Sequence, residues 1–260
     1  MGLLLKAGIS SDLVKTALIA FLAISIFIIF INNFPFLKRI FPNYSLQLGG
    51  LIGNTSFLGI PIAIALLPTD TINFTIGFDL GTTLFSWIFG PYFLEKNKAS
   101  KLRVNIRTLI ISILNSPASR GIIGVWVTYQ FGIEKFLGDI LWIPAKIVIY
   151  LAIIIVGTRL GIILSNKNQL FQLNNKISFS IFLKLFIFPS FIFFVSKAIK
   201  FNDVETLAVV LQAATPTAIS TILMAEAYGK NQEMAAKILF ITTILSFITI
   251  PFITLFLKIQ

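Results

Sequence analysis

The sequence predicts an all-α polytopic membrane protein with about eight transmembrane spans, of which two are broken helices. Hydrophobic residues make up 57% of the 260 residues and charged residues only 12%, whereas soluble domains are about 45–50% apolar. Apolar stretches long enough to cross a bilayer, which takes about 20 residues, recur along the chain. Two of these stretches contain glycine, proline and polar residues in their interior, which predicts that the helix is interrupted there.

The composition also limits the chemistry. The chain contains neither Cys nor His, which excludes disulfides, thiolate nucleophiles, imidazole metal ligands and Ser-His catalytic pairs. The net charge of +11 is typical of a membrane protein whose Lys and Arg residues orient its helices. We therefore expect no enzymatic activity, no cofactor, no metal site and no nucleic-acid partner.

The sequence contains eight candidate spans, with polar runs after the third and the fifth. They cover residues 13–31, 44–67, 72–94, 117–131, 137–160, 177–198, 204–228 and 234–257. The first has no glycine or proline to interrupt it, whereas the third contains Asp79 and the sixth contains Lys184. Charged side chains at membrane depth are costly and tend to face the interior of the helix bundle.

The second span is interrupted within residues 48–68, LGGLIGNTSFLGIPIAIALLP. Its glycines weaken the helix, and Asn54 offers a side chain that competes for backbone hydrogen bonds. Pro61 lacks an N–H group and is expected to push Ile60 out of the α region. Opened backbone at this depth has to lie within protein or line a cavity. We therefore expect a broken helix, the alternative being a kinked but continuous helix with small packing residues.

A second interruption, near residues 213–216, falls in the seventh span. Each broken span is followed by one further span, and the two broken spans run in opposite directions, which is the pattern of an inverted repeat. We predict an N-terminally incomplete first repeat at residues 1–94, a basic loop at 95–107 and a second five-helix repeat at 108–260.

Lys and Arg residues in short loops predict the orientation. The loop at 95–107 holds a dense group of them, Lys96, Lys98, Lys101, Arg103 and Arg107. We expect this loop to be cytoplasmic, both termini to lie outside, and the multi-pass chain to reside in the plasma (inner) membrane.

Two motifs carry a resemblance to a known family: GNTSFLGIPI at 53–62, and ATPTAISTILMAEAYGKNQEMAAKILFITTILSFITIP at 214–251. LKLFIFP at 183–189 and NSP at 115–117 add to it. The chain resembles the auxin efflux carrier family, also called PIN-like or AEC permeases. The resemblance implies ten helices in two inverted repeats of five, whose fourth helices break at a proline and cross near the membrane centre.

Carried onto this sequence, the resemblance makes Pro61 and Pro216 the crossover prolines and Asn54 the polar residue beside the first crossover. The chain departs from the family at Ser220, where members often have Asn. It also lacks the first two helices, so we expect translation to begin upstream of Met1, rather than the protein to be naturally short.

A broken helix presents a half-helix N-terminus with about half a positive charge, whose N–H groups can bind a carboxylate. The alternative for the nearby hydroxyls is hydrogen bonding to their own backbone. The predicted substrate-binding residues are Asn54, Thr55, Pro61, Thr215, Pro216, Thr217 and Ser220.

Three of the charged residues in the spans are candidates for a role in transport. Asp79 is predicted to be a coupling site for a proton or cation, the alternatives being a buried hydrogen bond to a neighbouring helix or a place in a wet outer vestibule. Lys184 is expected to snorkel to the interface, or else to act as an internal positive charge. Glu226 is a candidate partner of Lys184 in a charge network, the alternative partner being Arg120.

Together these features predict a secondary transporter, or permease, that moves a small organic anion of the carboxylate class by alternating access around paired broken helices. The lipid bilayer is the expected surrounding, and the resemblance implies a homodimer. The alternative is a non-transporting membrane subunit of a larger assembly.

Overall fold

The structure, a computed structural model, describes residues 1–95, 114, 117–165, 173–227 and 231–258. Most of the predicted basic loop at 95–107 and part of the NSP motif at 115–117 lie outside the described residues. Within the described part, regular structure is helical apart from one isolated antiparallel bridge between Gly53 and Thr217.

The helices in chain order are α1 (Gly2–Ala7), α2 (Ser11–Asn33), α3 (Pro35–Ile40), α4 (Tyr44–Leu51), α5 (Ile60–Leu66), α6 (Ile72–Glu95), α7 (Pro117–Gln130), α8 (Glu134–Ser165), α9 (Asn175–Phe182), α10 (Phe188–Ala198), α11 (Asp203–Ala213), α12 (Ile219–Ala227) and α13 (Gln232–Lys258). A 3₁₀ turn (Thr69–Thr71) precedes α6. Two π-helical turns, here called the first π-turn (Thr55–Gly59) and the second π-turn (Leu183–Ile187), directly precede α5 and α10.

Three helical segments of the described part are long and apolar enough to cross a membrane: Ser11–Asn33, Asn175–Ala198 and Gln232–Leu257. Their outer faces remain apolar. On α13, for example, the exposed residues include Phe247, Ile248 and Phe252. Large exposed apolar surfaces are rare on soluble monomers, so this surface indicates a protein embedded in lipid.

Helix α2 packs along α6 at very short range. A Cβ atom on Gly81 would lie 3.0 Å from the Ala17 Cα and closer still to the Ala17 carbonyl oxygen, and one on Gly77 would lie 2.9 Å from the Leu13 Cα. Small residues four positions apart allow such close helix contacts in membranes. Because Asp79 lies midway between these glycines, helical geometry turns it away from α2.

The second predicted span is broken, but Pro61 does not break it. Helix α4 ends at Leu51, and Ile52 has extended backbone angles, φ −82° and ψ 114°. Ile60 is α-helical, with φ −62° and ψ −48°, so the expectation that Pro61 displaces it is wrong. The N–H of Ile60 bonds to the Thr55 carbonyl five residues back. This wider turn accommodates a proline without opening the helix.

The second π-turn has the same arrangement. The N–H of Phe188 bonds to the Leu183 carbonyl, again five residues back, and Pro189 follows immediately. The helix from Asn175 to Ala198 therefore continues past its proline. In both places the π-turn is followed by one residue and then by proline.

The seventh predicted span is interrupted where the sequence predicts it. Helix α11 begins with a capping box between Asn202 and Glu205, ends at Ala213, and is separated from α12 by residues 214–218, which include Pro216. The two interrupted helices thus have the same order of parts: a half-helix, a short non-helical segment and a second half-helix.

Candidate functional site at the helix crossing

The two breaks cross and bond to each other. The backbone N–H of Asn54 donates to the Pro216 carbonyl at 2.7 Å, and the N–H of Ala218 donates to the Ile52 carbonyl at 3.0 Å. Gly53 and Thr217 form the bridge between these two bonds. Each break therefore supplies hydrogen-bond partners that the other needs, since hydrocarbon supplies none.

Gly53 lies in the tightest part of the crossing. A Cβ atom at this position would lie 2.9 Å from the Lys184 Nζ and even closer to the Thr215 Oγ1. Only glycine leaves room for both side chains, so close approach is the structural reason for glycine in the break.

The buried threonines of the second break bond to backbone groups. Thr215 donates to the Gln212 carbonyl at 2.7 Å, and Thr217 donates to the Gly49 carbonyl at 2.7 Å. The Thr217 N–H in turn donates to the Oγ1 of Thr242 on α13, at 3.1 Å. These hydroxyls satisfy the open backbone, as in the alternative considered from sequence. Sequence analysis missed Thr242, which sits in an otherwise plain apolar span.

Asp79 lies on α6, and its carboxylate contacts the start of the first π-turn. Its Oδ1 accepts hydrogen bonds from Thr55 Oγ1 at 2.6 Å and from Ser56 Oγ at 2.5 Å. A carboxylate at the N-terminal end of a helical segment is favoured by the positive end of the helix dipole. The structure thus contains the buried hydrogen bond to a neighbouring segment that was the alternative for Asp79, and its coupling role remains a prediction. Ser56 was missed, although it adjoins Thr55 in the quoted motif.

Lys184 does not snorkel, so that expectation is wrong. It lies in the second π-turn, its side chain is 0% exposed, and its Nζ donates to the Ala213 carbonyl at 2.7 Å. The ammonium also lies 5.2 Å from the centroid of the Phe188 ring. The C-terminal end of α11 carries a partial negative charge, which holds the ammonium at the crossing instead of the interface.

The structure does not bring Lys184 and Glu226 together. Glu226 is exposed near the end of α12, and no carboxylate of the described residues lies within ion-pair distance of Lys184. The predicted charge network between these two residues is therefore absent from this arrangement.

Asn54 and Ser220 differ from the threonines. Asn54 lies in the break and is 5% exposed, and Ser220 is half-buried at the start of α12. Neither side chain has a hydrogen bond to another described residue. Of the predicted polar residues, these two remain available to a ligand, whereas Thr55, Thr215 and Thr217 already donate within the protein.

Gln212 was also missed by sequence analysis. It precedes Ala213 at the end of α11, is 0% exposed, and has neither Oε1 nor Nε2 hydrogen-bonded within the described part of the chain. A signal was present, because this glutamine interrupts an apolar run directly before the second break.

The chain is similar to known membrane transport proteins. A family model described as "Membrane transport protein" matches residues 122–254. An uncharacterized transporter of Methanocaldococcus jannaschii is 25% identical over 257 residues, covering 93% of this chain and 81% of the relative. No solved structure matches the chain. With the family model spanning half of the sequence, and the crossing of two broken helices in place, the chain belongs to the membrane transport protein family of the auxin efflux carrier type.

Proposed function

We propose that this protein is a secondary transporter that moves a small organic anion of the carboxylate class by alternating access around the helix crossing. Its family and its relative among the transporters support the general class. The anionic substrate is inferred from the charges at the crossing, and the gradient-driven mechanism from the two broken helices.

The observation that carries the proposal is the buried ammonium of Lys184. An ammonium has three N–H donors, and Lys184 has one hydrogen bond to a described residue, the carbonyl of Ala213. Buried charges are normally paired, so a carboxylate is the chemical group that best completes this environment. Asn54 and Ser220 supply neutral hydrogen bonds at the same crossing.

In this proposal, Asp79 does not bind the substrate anion. Its carboxylate already occupies the hydroxyls at the start of the first π-turn, where a substrate anion would be repelled by a like charge. The substrate therefore belongs on the Lys184 side of the crossing. Asp79 is left to bind a proton or a cation, which couples the transport to a gradient.

The topology proposed with this function has eight spans, with repeats at residues 1–94 and 108–260 around a cytoplasmic loop at 95–107. Both termini face outward from the plasma membrane, and two copies form a homodimer. The matching order of half-helix, break and half-helix in the two interrupted helices supports the inverted repeat, as does their antiparallel bridge.

The test is uptake of labelled small carboxylates into liposomes that contain the purified protein. The wild type is expected to transport them. A variant with both Asn54→Ala and Ser220→Ala is expected to lose at least about tenfold in flux, which corresponds to about 1.4 kcal/mol of binding, while its unfolding temperature stays unchanged.

A variant with both Asn33→Ala and Ser178→Ala changes the same residue types at exposed positions and serves as the matched control. A folded wild type that moves none of the carboxylates would contradict the transporter and favour a non-transporting subunit. Equal flux in the wild type and the double variant at the crossing would leave the class intact and refute this assignment of the site.

A further inference from the structure

The side chain of Gln212 bridges the two broken helices. It lies in α11, next to the second break, and its amide rests against Gly59 at the end of the first π-turn. A Cβ atom on Gly59 would lie 2.8 Å from Gln212 Cδ, 2.9 Å from its Nε2 and closer still to its Oε1. Glycine at position 59 therefore makes the space in which the amide sits.

The amide of Gln212 has no hydrogen-bond partner among the described residues, although its side chain is fully buried. Buried polar groups are almost always hydrogen-bonded, so an exception needs an explanation. Another deeply buried glutamine of the described part, Gln47, is hydrogen-bonded through both amide atoms. Gln47 is 1% exposed, donates to the Phe41 carbonyl at 2.9 Å and accepts from Asn32 Nδ2 at 3.0 Å.

The two unpaired atoms of the Gln212 amide, Oε1 and Nε2, restrict the kind of ligand that can bind there. An amide offers an acceptor oxygen and a donor NH₂ group, whereas an ionised carboxylate can only accept. A plain carboxylate would pair with Nε2 and leave Oε1 without a donor. A ligand that carries a hydroxyl or N–H group next to its carboxylate would satisfy both atoms.

We propose that Gln212 is a specificity-determining residue, which selects carboxylates bearing a hydrogen-bond donor beside the carboxyl group. This inference rests on the proposed transport of a small carboxylate at the crossing. Lys184 supports it, since its ammonium binds the carbonyl of Ala213, the residue next to Gln212. The ammonium of Lys184 pairs with the carboxylate of the substrate, and the amide oxygen of Gln212 accepts a hydrogen bond from the donor group beside that carboxylate.

The experiment compares matched pairs of acids in liposome uptake: glycolate with acetate, lactate with propanoate, and 2-hydroxybutanoate with butanoate. The wild type is expected to prefer the hydroxylated member at least about tenfold, because a site with buried hydrogen-bonding groups rejects analogues that leave them unpaired. Gln212→Met, which keeps the length without the polar atoms, is expected to reduce the preference to about twofold or less.

The control is Gln47→Met, which alters a satisfied amide away from the crossing and is expected to keep the wild-type preference. Thermal unfolding of each variant shows whether a change in substrate preference arises from lost stability or from lost recognition of the substrate. Removing unpaired polar atoms should leave the unfolding temperature of Gln212→Met unchanged or raised, whereas Gln47→Met should lower it. A second variant, Gln212→Glu, replaces the donor with a negative charge and is expected to lose flux of both members of each pair.

The outcomes distinguish this inference from the function on which it rests. Equal flux of both members in the wild type, or an unchanged preference in Gln212→Met, would overturn the role of Gln212 while leaving a carboxylate transporter. Absence of flux for all six acids in a folded wild type would overturn the proposed function, and this inference with it.

Discussion

The Nζ of Lys184 lies 2.7 Å from the carbonyl oxygen of Ala213, the last residue of α11. Asp79, on α6, accepts hydrogen bonds from Thr55 and Ser56, the first two residues of the first π-turn in the other broken helix. Each internal charge thus stands at a helix end of opposite sign. Because no ion pair joins Lys184 to Asp79 among the described residues, each charge can respond separately to a ligand.

Lys184→Met is expected to lower carboxylate uptake at least about tenfold, since it removes the positive charge that is proposed to hold the anion. Stability should change little. Loss of the bond to Ala213 leaves a buried carbonyl unpaired, while loss of a buried charge removes an unfavourable term. Uptake at several substrate concentrations and thermal unfolding measure the two effects.

The matched control is Lys197→Met on α10. Lys197 is an exposed residue paired with Asp203 at 2.5 Å, and surface ion pairs contribute only about 0–1 kcal/mol. Carboxylate uptake by the Lys197→Met variant should stay within about twofold of uptake by the wild type. If Lys184→Met also transported at the wild-type rate, the ammonium would be a structural cap and no part of the substrate site.

Asp79→Asn is expected to preserve the fold and to uncouple transport. The amide oxygen of asparagine can still accept from Thr55 and Ser56, so the start of the π-turn keeps its partners. The negative charge that would bind a proton or cation is gone. Uptake should therefore cease to respond to an imposed gradient of protons or sodium, which is measured by comparing uptake with and without each gradient.

Asp12→Asn is the matched control. It tests whether the loss of any carboxylate abolishes the response of uptake to proton or sodium gradients. Asp12 lies in an exposed pair with Lys15 at 3.1 Å, so its variant should respond to gradients as the wild type does. A wild type that responds to neither gradient, or an Asp79→Asn variant that responds fully, would contradict the coupling role.

Both broken helices could be predicted from the sequence, because glycine, proline and small polar residues in an apolar run have direct backbone consequences. The interval predicted for the first break, residues 48–68, contains the observed one, but the effect assigned to Pro61 is wrong. Pro61 is accommodated by the π-turn, while the chain opens at residues 52–54, where Gly53 meets Lys184 and Thr215. The position of the break is thus decided by the other broken helix, which lies more than 150 residues away in sequence.

The side-chain environments were harder to predict for a similar reason. A lysine seven residues inside a span can either snorkel or turn inward, and the choice at Lys184 depends on the free carbonyl of Ala213. Likewise, the isolation of Gln212 depends on Gly59 in a distant helix. Local sequence shows that such residues are unusual, but tertiary contacts decide what they do.

The predicted orientation can be tested at the two ends of α6. The protein has no cysteine, so single cysteines introduced as Asp70→Cys and Lys98→Cys can be labelled without background. In sealed right-side-out vesicles, a membrane-impermeant maleimide should label position 70 and spare position 98, since basic loops remain cytoplasmic. Inverted vesicles should give the reverse, and labelling of position 98 from outside would contradict the orientation.

Gly53→Ala is expected to destabilise the crossing. Its Cβ would lie 2.9 Å from Lys184 Nζ and within the contact distance of Thr215 Oγ1, and overpacking of this kind typically costs about 1–3 kcal/mol. The matched control is Gly157→Ala on α8, where an added Cβ meets nothing within 4 Å. In a helix interior that change is stabilising by roughly 0.5–1 kcal/mol. Thermal unfolding in detergent should therefore shift the two variants in opposite directions, and a Gly53→Ala protein as stable as the wild type would mean that the two breaks do not need their close contact.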